Sequence, residues 1–451
     1  MIVDCFTFFD EFDLLELRLR ILGGVVDRFV LCEAPFTFRG DPKPLHFASA
    51  PPERFARWRE RITVLAYPGP ADENPWQNEW GQRDYLATGL TGCASEDLIL
   101  IGDCDEIPDP RLAAKRPRDG GILMHRMMYA QGYVNRVAWS GTHAWNGTRA
   151  LTYANLARYG TLSNVRKSTG AEIEAVDGGW HFTSLGGAAA MERKIRAYSH
   201  VELDIPYFRD RRRLDVTYGS SEEMHWLPLD DRFPQALRDD ARWQPFVLER
   251  PPGAGGPSAH GLAHAHGALA YVPADAAPVA VIANDAAAWQ AAAQERLGTA
   301  FAGVFSDAPA LLAAVATPDW VVVDRPEALP RGTLRALAAA GAAVVAFAAN
   351  ARSFEVFRGV LGGTGAFPAG RAFGRAEHEA DIRAAGYRIV ADDRVFSTQL
   401  AIPITSQAQT SLSIEGFAFA EIAAGALHDF LSNAFIFTLA PVNAPPPAAE
   451  H

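Results

Sequence analysis

The block Asp103-Cys104-Asp105-Glu106 is the densest concentration of potential chemistry in this sequence of 451 residues. Two carboxylates at i and i+2 of an extended segment share a face, because strand side chains alternate with period two. Both can then reach one cation, or bridge a cation and a ribose. Oxygen donors of this kind select Mg2+ or Mn2+, ions that also bridge phosphate oxygens. The block follows Asp97–Gly102 (DLILIG), which reads as a buried strand. Ligands of open α/β sheets bind beyond the carboxyl ends of strands, so the place suits a site. The plainer alternative is a solvated acidic turn that caps a helix. Pro108 and Pro110 stiffen the loop that follows and stop the strand from running on as a helix.

Other residues could join that block. His181 lies in Gly178-Gly179-Trp180-His181-Phe182, where the glycines permit positive φ or close backbone approach. It reads equally as a metal or phosphate ligand and as a core histidine bonded to backbone. Lys194 and Arg196 could face a diphosphate, although a solvated helix face is the commoner fate of such residues. His200 follows them and reads as a helix C-terminal cap. Trp76, Trp80, Trp139 and Trp145 are dense enough for one or two to stack on a sugar ring, with the rest in the core. The run Arg211-Arg212-Arg213 is flanked by Asp210 and Asp215 and reads as a charged turn.

The elements that must position these groups alternate. Met1–Phe9 reads as a strand, followed by a helix from Asp10 with Leu14, Leu15, Leu19 and Leu22 on one face, stopped at Gly23-Gly24. Arg28–Glu33 and Arg61–Ala66 read as strands and Glu79–Leu90 as a helix. Beyond residue 250, Trp, Arg and Asp give way to Ala, Gly and Val. Strand readings there are Val279–Ala283, Phe301–Phe305, Trp320–Asp324, Ala343–Ala348, YRIVADD and Asn433–Pro441. Alternation of this kind predicts α/β architecture with largely parallel sheets. The expected domains are 1–250, a Gly/Pro/His-rich linker 251–275, a second doubly wound unit 276–441 and a disordered tail 442–451.

A net charge of −11 argues against nucleic-acid binding through phosphate neutralisation. Four cysteines without paired spacing make neither a disulfide framework nor a metal site. The opening is not a signal peptide, and the most apolar later stretch, Ala336–Ala349, is short of the roughly 20 residues that span a bilayer. The expectation is a cytoplasmic protein.

The segments DCFTFFDEFDLLELRL, VVDRFVLCEAPFTFRGDPKPLHF, Gln82-Arg83, DLILIGDCDEIP, GGWHFTSLGG and KIRAYSHVE resemble glycosyltransferase family 17, the family of bisecting β-1,4-N-acetylglucosaminyltransferases. The resemblance covers roughly residues 1 to 250. It implies a GT-A-like fold, a UDP-sugar donor, Mn2+ or Mg2+, inversion at the anomeric carbon and a glycan or polysaccharide acceptor. On that basis Asp105 and Asp103 would hold the ion, with His181 as a further ligand. Glu33, Lys43, Gln82, Arg83 and Asp103 would meet the nucleotide. Glu202, Asp177 or Glu106 would be the base. The absence of an anchor points to a bacterial-type relative.

The later segment, from DWVVVDRPEALPRGTL to RAEHEADIRAAGYRIVADDRV, resembles class I S-adenosylmethionine-dependent methyltransferases. It departs from them where the first strand should meet a Gly-rich turn and instead reads Asn284-Asp285-Ala286-Ala287-Ala288. Ser306-Asp307 is a weak candidate for the acid that should end the second strand. A degenerate domain that does not use S-adenosylmethionine is expected, with docking, acceptor shaping or homo-oligomerisation as its roles. Two alternatives stand beside the transferase reading. One is a phosphotransferase or phosphohydrolase using the same acids, which would want its Asp pair after the first strand, where only Asp4 and Asp10 stand. The other is a non-catalytic nucleotide-sugar- or glycan-binding protein.

Overall fold

The computed structural model describes the chain except residues 52, 119, 139–144, 171, 221–223, 250–257, 285, 316, 331, 351–373, 397–409, 415–416, 423–428, 430–431 and 444–451. Trp139, Asp285 and nearly all of the expected tail lie outside the described residues. The chain forms two units, one of Met1–Val201 with Tyr218–Gly253, the other of Glu202–Thr217 with Ala254–His451.

The strands of the first unit are β1 (Ile2–Thr7), β2 (Arg28–Glu33), β3 (Ile62–Ala66), β4 (Leu98–Asp103), β5 (Glu106–Pro108), β6 (Ile122–Gln131), β7 (Arg136–Ala138), β8 (Trp145–Thr152), β9 (Ile173–Thr183) and β10 (Met224–Trp226). Its main helices are α1 (Phe12–Leu22), α2 (Pro75–Tyr85), α3 (Tyr153–Tyr159), α4 (Leu162–Lys167) and α5 (Gly187–Ala197). The sheet runs β10-β7-β6-β8-β4-β1-β2-β3, with β9 pairing β5 and β6. Strands β3, β2, β1 and β4 are parallel, and β8 is antiparallel to β4. The chain builds outward from β1 through β2 to β3, then returns to the other side of β1 with β4. The carboxyl ends of β1 and β4 therefore flank a topological switch point, where open α/β sheets bind ligands.

The side chains explain this arrangement. On β1, Val3 and Cys5 pack in one layer with Val30, Ile99 and Ile101, while Phe6 packs in the other with Leu14, Leu15 and Leu100. Residues 98–101 of β4 are wholly buried, as interior parallel strands are. The helix α1 ends where the Gly23 N–H meets the Leu19 carbonyl at 2.9 Å. Asn74 caps α2 by accepting from the Trp76 N–H at 3.1 Å, with Pro75 in its first turn.

Two expectations change here. The segment after Asp103 is not a continuous loop, because Glu106–Pro108 pairs antiparallel with β9. Nor do Asp103 and Asp105 share a strand face, because the extended run stops at Asp103 and residues 104–105 turn.

In the second unit lie α6 (Pro206–Arg209), most of α7 (Arg211–Gly219), α9 (Ala259–Leu269), α10 (Ala286–Leu297), α11 (Ala308–Ala314), α12 (Thr333–Ala339) and α13 (Arg375–Ala384); α8 (Gln235–Arg238) belongs to the first. Strands β11 (Val279–Ile282), β12 (Phe301–Phe305), β13 (Trp320–Asp324), β14 (Ala343–Ala349), β15 (Tyr387–Phe396) and β18 (Ser432–Pro441) form a sheet ordered β12-β11-β13-β14-β18-β15. Here β18 is antiparallel to both neighbours. The strands β16 (Thr410–Ile414) and β17 (Phe417–Ile422) pair separately. Part of the stretch read as a linker is α9, capped by the Ser258 hydroxyl on the Gly261 N–H at 3.0 Å and burying Ala263, Ala265, Ala268 and Leu269. Its alanine spacing supplies a helical face that the neighbouring Gly and Pro obscured. Among the described residues no helix is long and apolar enough to cross a membrane.

Candidate active site

The turn after β4 presents its acids to four basic side chains. Asp103 Oδ1 accepts from Arg83 Nη2 at 2.8 Å, and Arg166 Nη2 stands 3.7 Å from Oδ2. Thr7, at the end of β1, reaches the same carboxylate at 3.5 Å, which bridges the β1–β4 crevice. Desolvation works to raise the Asp103 carboxyl, but the Arg83 and Arg166 charges outweigh it and hold it below the usual range.

Asp105 turns the other way. Its Oδ2 lies 3.3 Å from His181 Nε2 and 3.4 Å from Lys194 Nζ. Burial opposes ionisation there, yet the His181 and Lys194 charges hold the carboxyl well below its ordinary value. Lys194 also donates to the Thr183 hydroxyl at 2.7 Å. It therefore faces the cluster, whereas Arg196 pairs along the helix with Glu192 at 3.1 Å.

Glu106 is fully buried. Its Oε1 accepts from the Trp145 indole at 2.6 Å and from Arg166, and its Oε2 accepts from the Asp103 N–H at 3.3 Å. Burial pushes its carboxyl up despite Arg166. His181 sits across the β5–β9 pairing from Glu106, with its ring 4.4 Å from Trp145 and 5.4 Å from Tyr129. The glycines before it are required. At Gly179, φ is +114° and a Cβ would stand 2.6 Å from the Ile107 carbonyl oxygen.

The remaining predicted residues divide. Arg83 is buried between Asp103 and Glu79, which it meets at 2.8 and 3.0 Å. Gln82 is buried beside it, and its Nε2 has no hydrogen-bond partner among the described residues. Glu33, at the end of β2, accepts from the Phe47 N–H at 3.2 Å, so it folds down the loop rather than projecting from it. Lys43 lies over the Phe9 ring at 5.3 Å and donates to the Pro44 carbonyl. Desolvation lowers its ammonium pKa. Asp177 pairs with Arg126, is 41% exposed, and has no hydrogen bond to the acid turn. Glu202 lies in the short turn Val201–Leu203, on the segment grouped with the second unit. Trp145 is committed to Glu106 and His181, Trp76 packs on His200 at 4.7 Å, and Lys167 lies 3.0 Å over the Trp80 ring. His200 thus packs on an aromatic ring, while Tyr198 is the α5 cap.

Three participants were missed. Arg166 offers no sequence signal beyond a basic last turn of a short helix. Arg18 does, because it falls on the apolar stripe of α1 between Leu14 and Leu22. It forks onto Asp4 with two bonds of 2.7 Å. Glu11 accepts from the Phe9 and Asp10 N–H groups at 2.9 and 3.1 Å. Desolvation first, then the charge of Asp105, raises its carboxyl to about 7.

Among the described residues no group of three or more His, Cys, Asp or Glu side chains is placed to hold a metal ion. The donor chemistry that does converge is the pair Asp105 and His181. A two-point seat fits an ion that draws its other ligands from substrate phosphates and water, provided that Lys194, now 3.4 Å from the same Asp105 oxygen, moves off it. Asp103 does not add a third, because its two oxygens face Arg83 and Arg166.

Residues 1–227 match the model of glycosyltransferase family 17. The chain belongs to that family. Over 106 residues it is 35% identical to the human β-1,4-mannosyl-glycoprotein 4-β-N-acetylglucosaminyltransferase, covering 22% of this chain and 20% of that protein. The rat and mouse proteins of the same name match over the same length at 35% and 34%. The chain thus matches about a fifth of the length of these relatives. The first unit is consistent with a GT-A-like α/β fold, and family membership supports glycosyl transfer in general. A solved complex of the Haloferax volcanii Trm112 methyltransferase activator with a putative methyltransferase aligns at 15% identity, covering 41% of this chain and 88% of that one. Its TM-score of 0.24 is too low to carry any argument.

Proposed function

We propose that this protein is an inverting glycosyltransferase that moves N-acetylglucosamine or a related hexose from a UDP-sugar to a hydroxyl of a glycan or polysaccharide precursor. The observation that carries the reading is the set of ion pairs at the β1–β4 crevice, Asp105 with His181 and Lys194, and Asp103 with Arg83 and Arg166. Breaking a sugar–diphosphate bond leaves negative charge on the β-phosphate. Cations fixed before the reaction stabilise that charge without reorganising. In this reading Lys194 moves from Asp105 to the diphosphate, and Arg83, held by Asp103 and Glu79, faces the nucleotide. Mn2+ or Mg2+ held by Asp105 and His181 would neutralise the departing diphosphate as a Lewis acid.

The acceptor hydroxyl must lose its proton to a carboxylate. Glu106 is sealed by Arg166 and Trp145 and instead orders Arg166. That leaves Asp177 and Glu202, which Asp177→Asn and Glu202→Gln would separate. A phosphohydrolase reading is disfavoured because Asp4 on the first strand is locked to Arg18. For the second unit we infer a methyltransferase-like fold that does not methylate. Support comes from the antiparallel β18 set between β14 and β15 and from the turn after β11, which opens on Asn284 rather than a glycine. The test is a screen of nucleotide sugars for metal-dependent hydrolysis or transfer, with Asp105→Ala as control. Turnover that survives in that variant overturns the role given to Asp105.

A further inference from the structure

The acid turn is held from inside by one side chain. Arg18 of α1 is wholly buried, as is its partner Asp4 of β1. Its Nε and Nη2 fork onto the two oxygens of Asp4. Its Nη1 faces three backbone carbonyls of the turn, those of Asp103 at 3.0 Å, Cys104 at 3.4 Å and Glu106 at 2.5 Å. The fourth carbonyl, of Asp105, accepts from the Phe182 N–H at 3.0 Å. The guanidinium also lies over the Phe6 ring at 4.6 Å. Every peptide oxygen of residues 103–106 is therefore consumed in the interior. With the backbone anchored that way, the Asp103 and Asp105 side chains are directed to their separate cationic partners.

A buried ion pair is a poor device for stability alone, since apolar residues of similar volume often do as well. Its retention wants another reason, and the carbonyl contacts supply one. We propose that Arg18, oriented by Asp4, is a positioning residue that sets the conformation of the acid turn and so the approach of its carboxylates to a nucleotide diphosphate and divalent ion. The proposal rests on the transferase reading for its ligand but not for its geometry. It needs a guanidinium, because an ammonium cannot fork onto Asp4 and span three carbonyls at once.

The test replaces the pair together, Asp4→Leu with Arg18→Met, so that no buried charge is left alone. Three properties are then read: the melting curve, amide hydrogen exchange, and the affinities for UDP and Mn2+ by calorimetry. The expected result is a folded protein in which exchange at residues 103–106 rises at least about tenfold while the amides of β2 and β3 hold their protection. UDP and Mn2+ should bind about 10- to 100-fold more weakly, the effect typical of groups that orient ligands. Wild-type exchange at 103–106 in the folded variant would overturn the proposal. Arg18→Lys keeps the charge opposite Asp4 and covers the case in which the paired variant does not fold. It should loosen the same four residues, and failure to do so is equally fatal. If the wild type itself fails to bind UDP, the donor assignment falls, and exchange at 103–106 alone decides the clamp.

Discussion

Both units present the carboxyl ends of parallel strands, yet the two edges are spent differently. In the first unit the edge carries Asp103, Asp105, Glu106 and Glu11 against Arg83, Arg166, Lys194 and His181, in contacts from which a ligand could recruit a cation. In the second, the acids that follow β12 and end β13 are engaged within the fold. Asp307, after β12, caps α11 through the Ala310 N–H at 2.8 Å. Asp324, ending β13, is 3.2 Å from His264 Nε2, whose Nδ1 meets the Tyr207 hydroxyl at 3.2 Å. That histidine is walled by Phe347 and Trp289 at 4.2 and 5.5 Å. A doubly wound sheet supplies a place for a site; whether there is one depends on charge left available at the strand ends.

The comparison can be broken most sharply through the buried pair. Asp4→Leu alone strands the Arg18 charge and should cost about 3–5 kcal/mol, read from chemical denaturation. A cost near zero would mean the pair is not isolated from water.

Next comes Glu11, in metal-free protein. Its folded pKa of about 7 stands above the ordinary 4.5. The folded state therefore holds a proton that the unfolded chain has lost, so this contribution is complete below about 4.5 and disappears as pH rises through about 7. Stability should fall across that window by on the order of 3 kcal/mol, and Glu11→Gln should remove the slope. Asp105 acts with the opposite sign: its depressed pKa gives stability present above 3.8 and lost as pH falls through the lower folded value. A flat profile between pH 4.5 and 7 would remove the electrostatic link between Glu11 and the acid turn.

Asp105→Asn should lower kcat/KM for a UDP-sugar by at least about 100-fold, roughly 2.7 kcal/mol, and should also lower the melting temperature at neutral pH, because His181 and Lys194 lose the carboxylate they pair with. The smallest effect belongs to the second unit. Asp324→Asn should leave turnover within about twofold and cost about 1–2 kcal/mol of stability for its bond to His264. A large loss of turnover there would erase the distinction between the two edges.

Much of this was legible in the sequence because it follows local periodicity. The strands Arg28–Glu33, Phe301–Phe305 and Trp320–Asp324 coincide with their readings, since runs of apolar residues bounded by turns leave little choice. The acid turn was found as a motif, and the glycines before His181 were read for the close approach they make. What was not legible depended on partners distant in sequence. Lys194 looked like a solvated helix residue because nothing local says that α5 faces Asp105, 89 positions away. Arg166 reaches Glu106 across 60 positions. The divergence of Asp103 and Asp105 depends on a turn that the period-two argument assumed away. Arg18 is the instructive omission: a lone cation on the apolar stripe of a helix, facing a lone acid within a buried strand, was visible in the sequence had both anomalies been taken together.

The inward aim of the peptide oxygens at residues 103–106 also has an electrostatic result. A carbonyl is the negative pole of its peptide unit, and here four such poles are turned toward a guanidinium or a neighbouring strand. An incoming anion is thus spared the lone pairs that an ordinary exposed turn would show it. An acidic turn is in this way less repulsive to phosphate than its composition suggests.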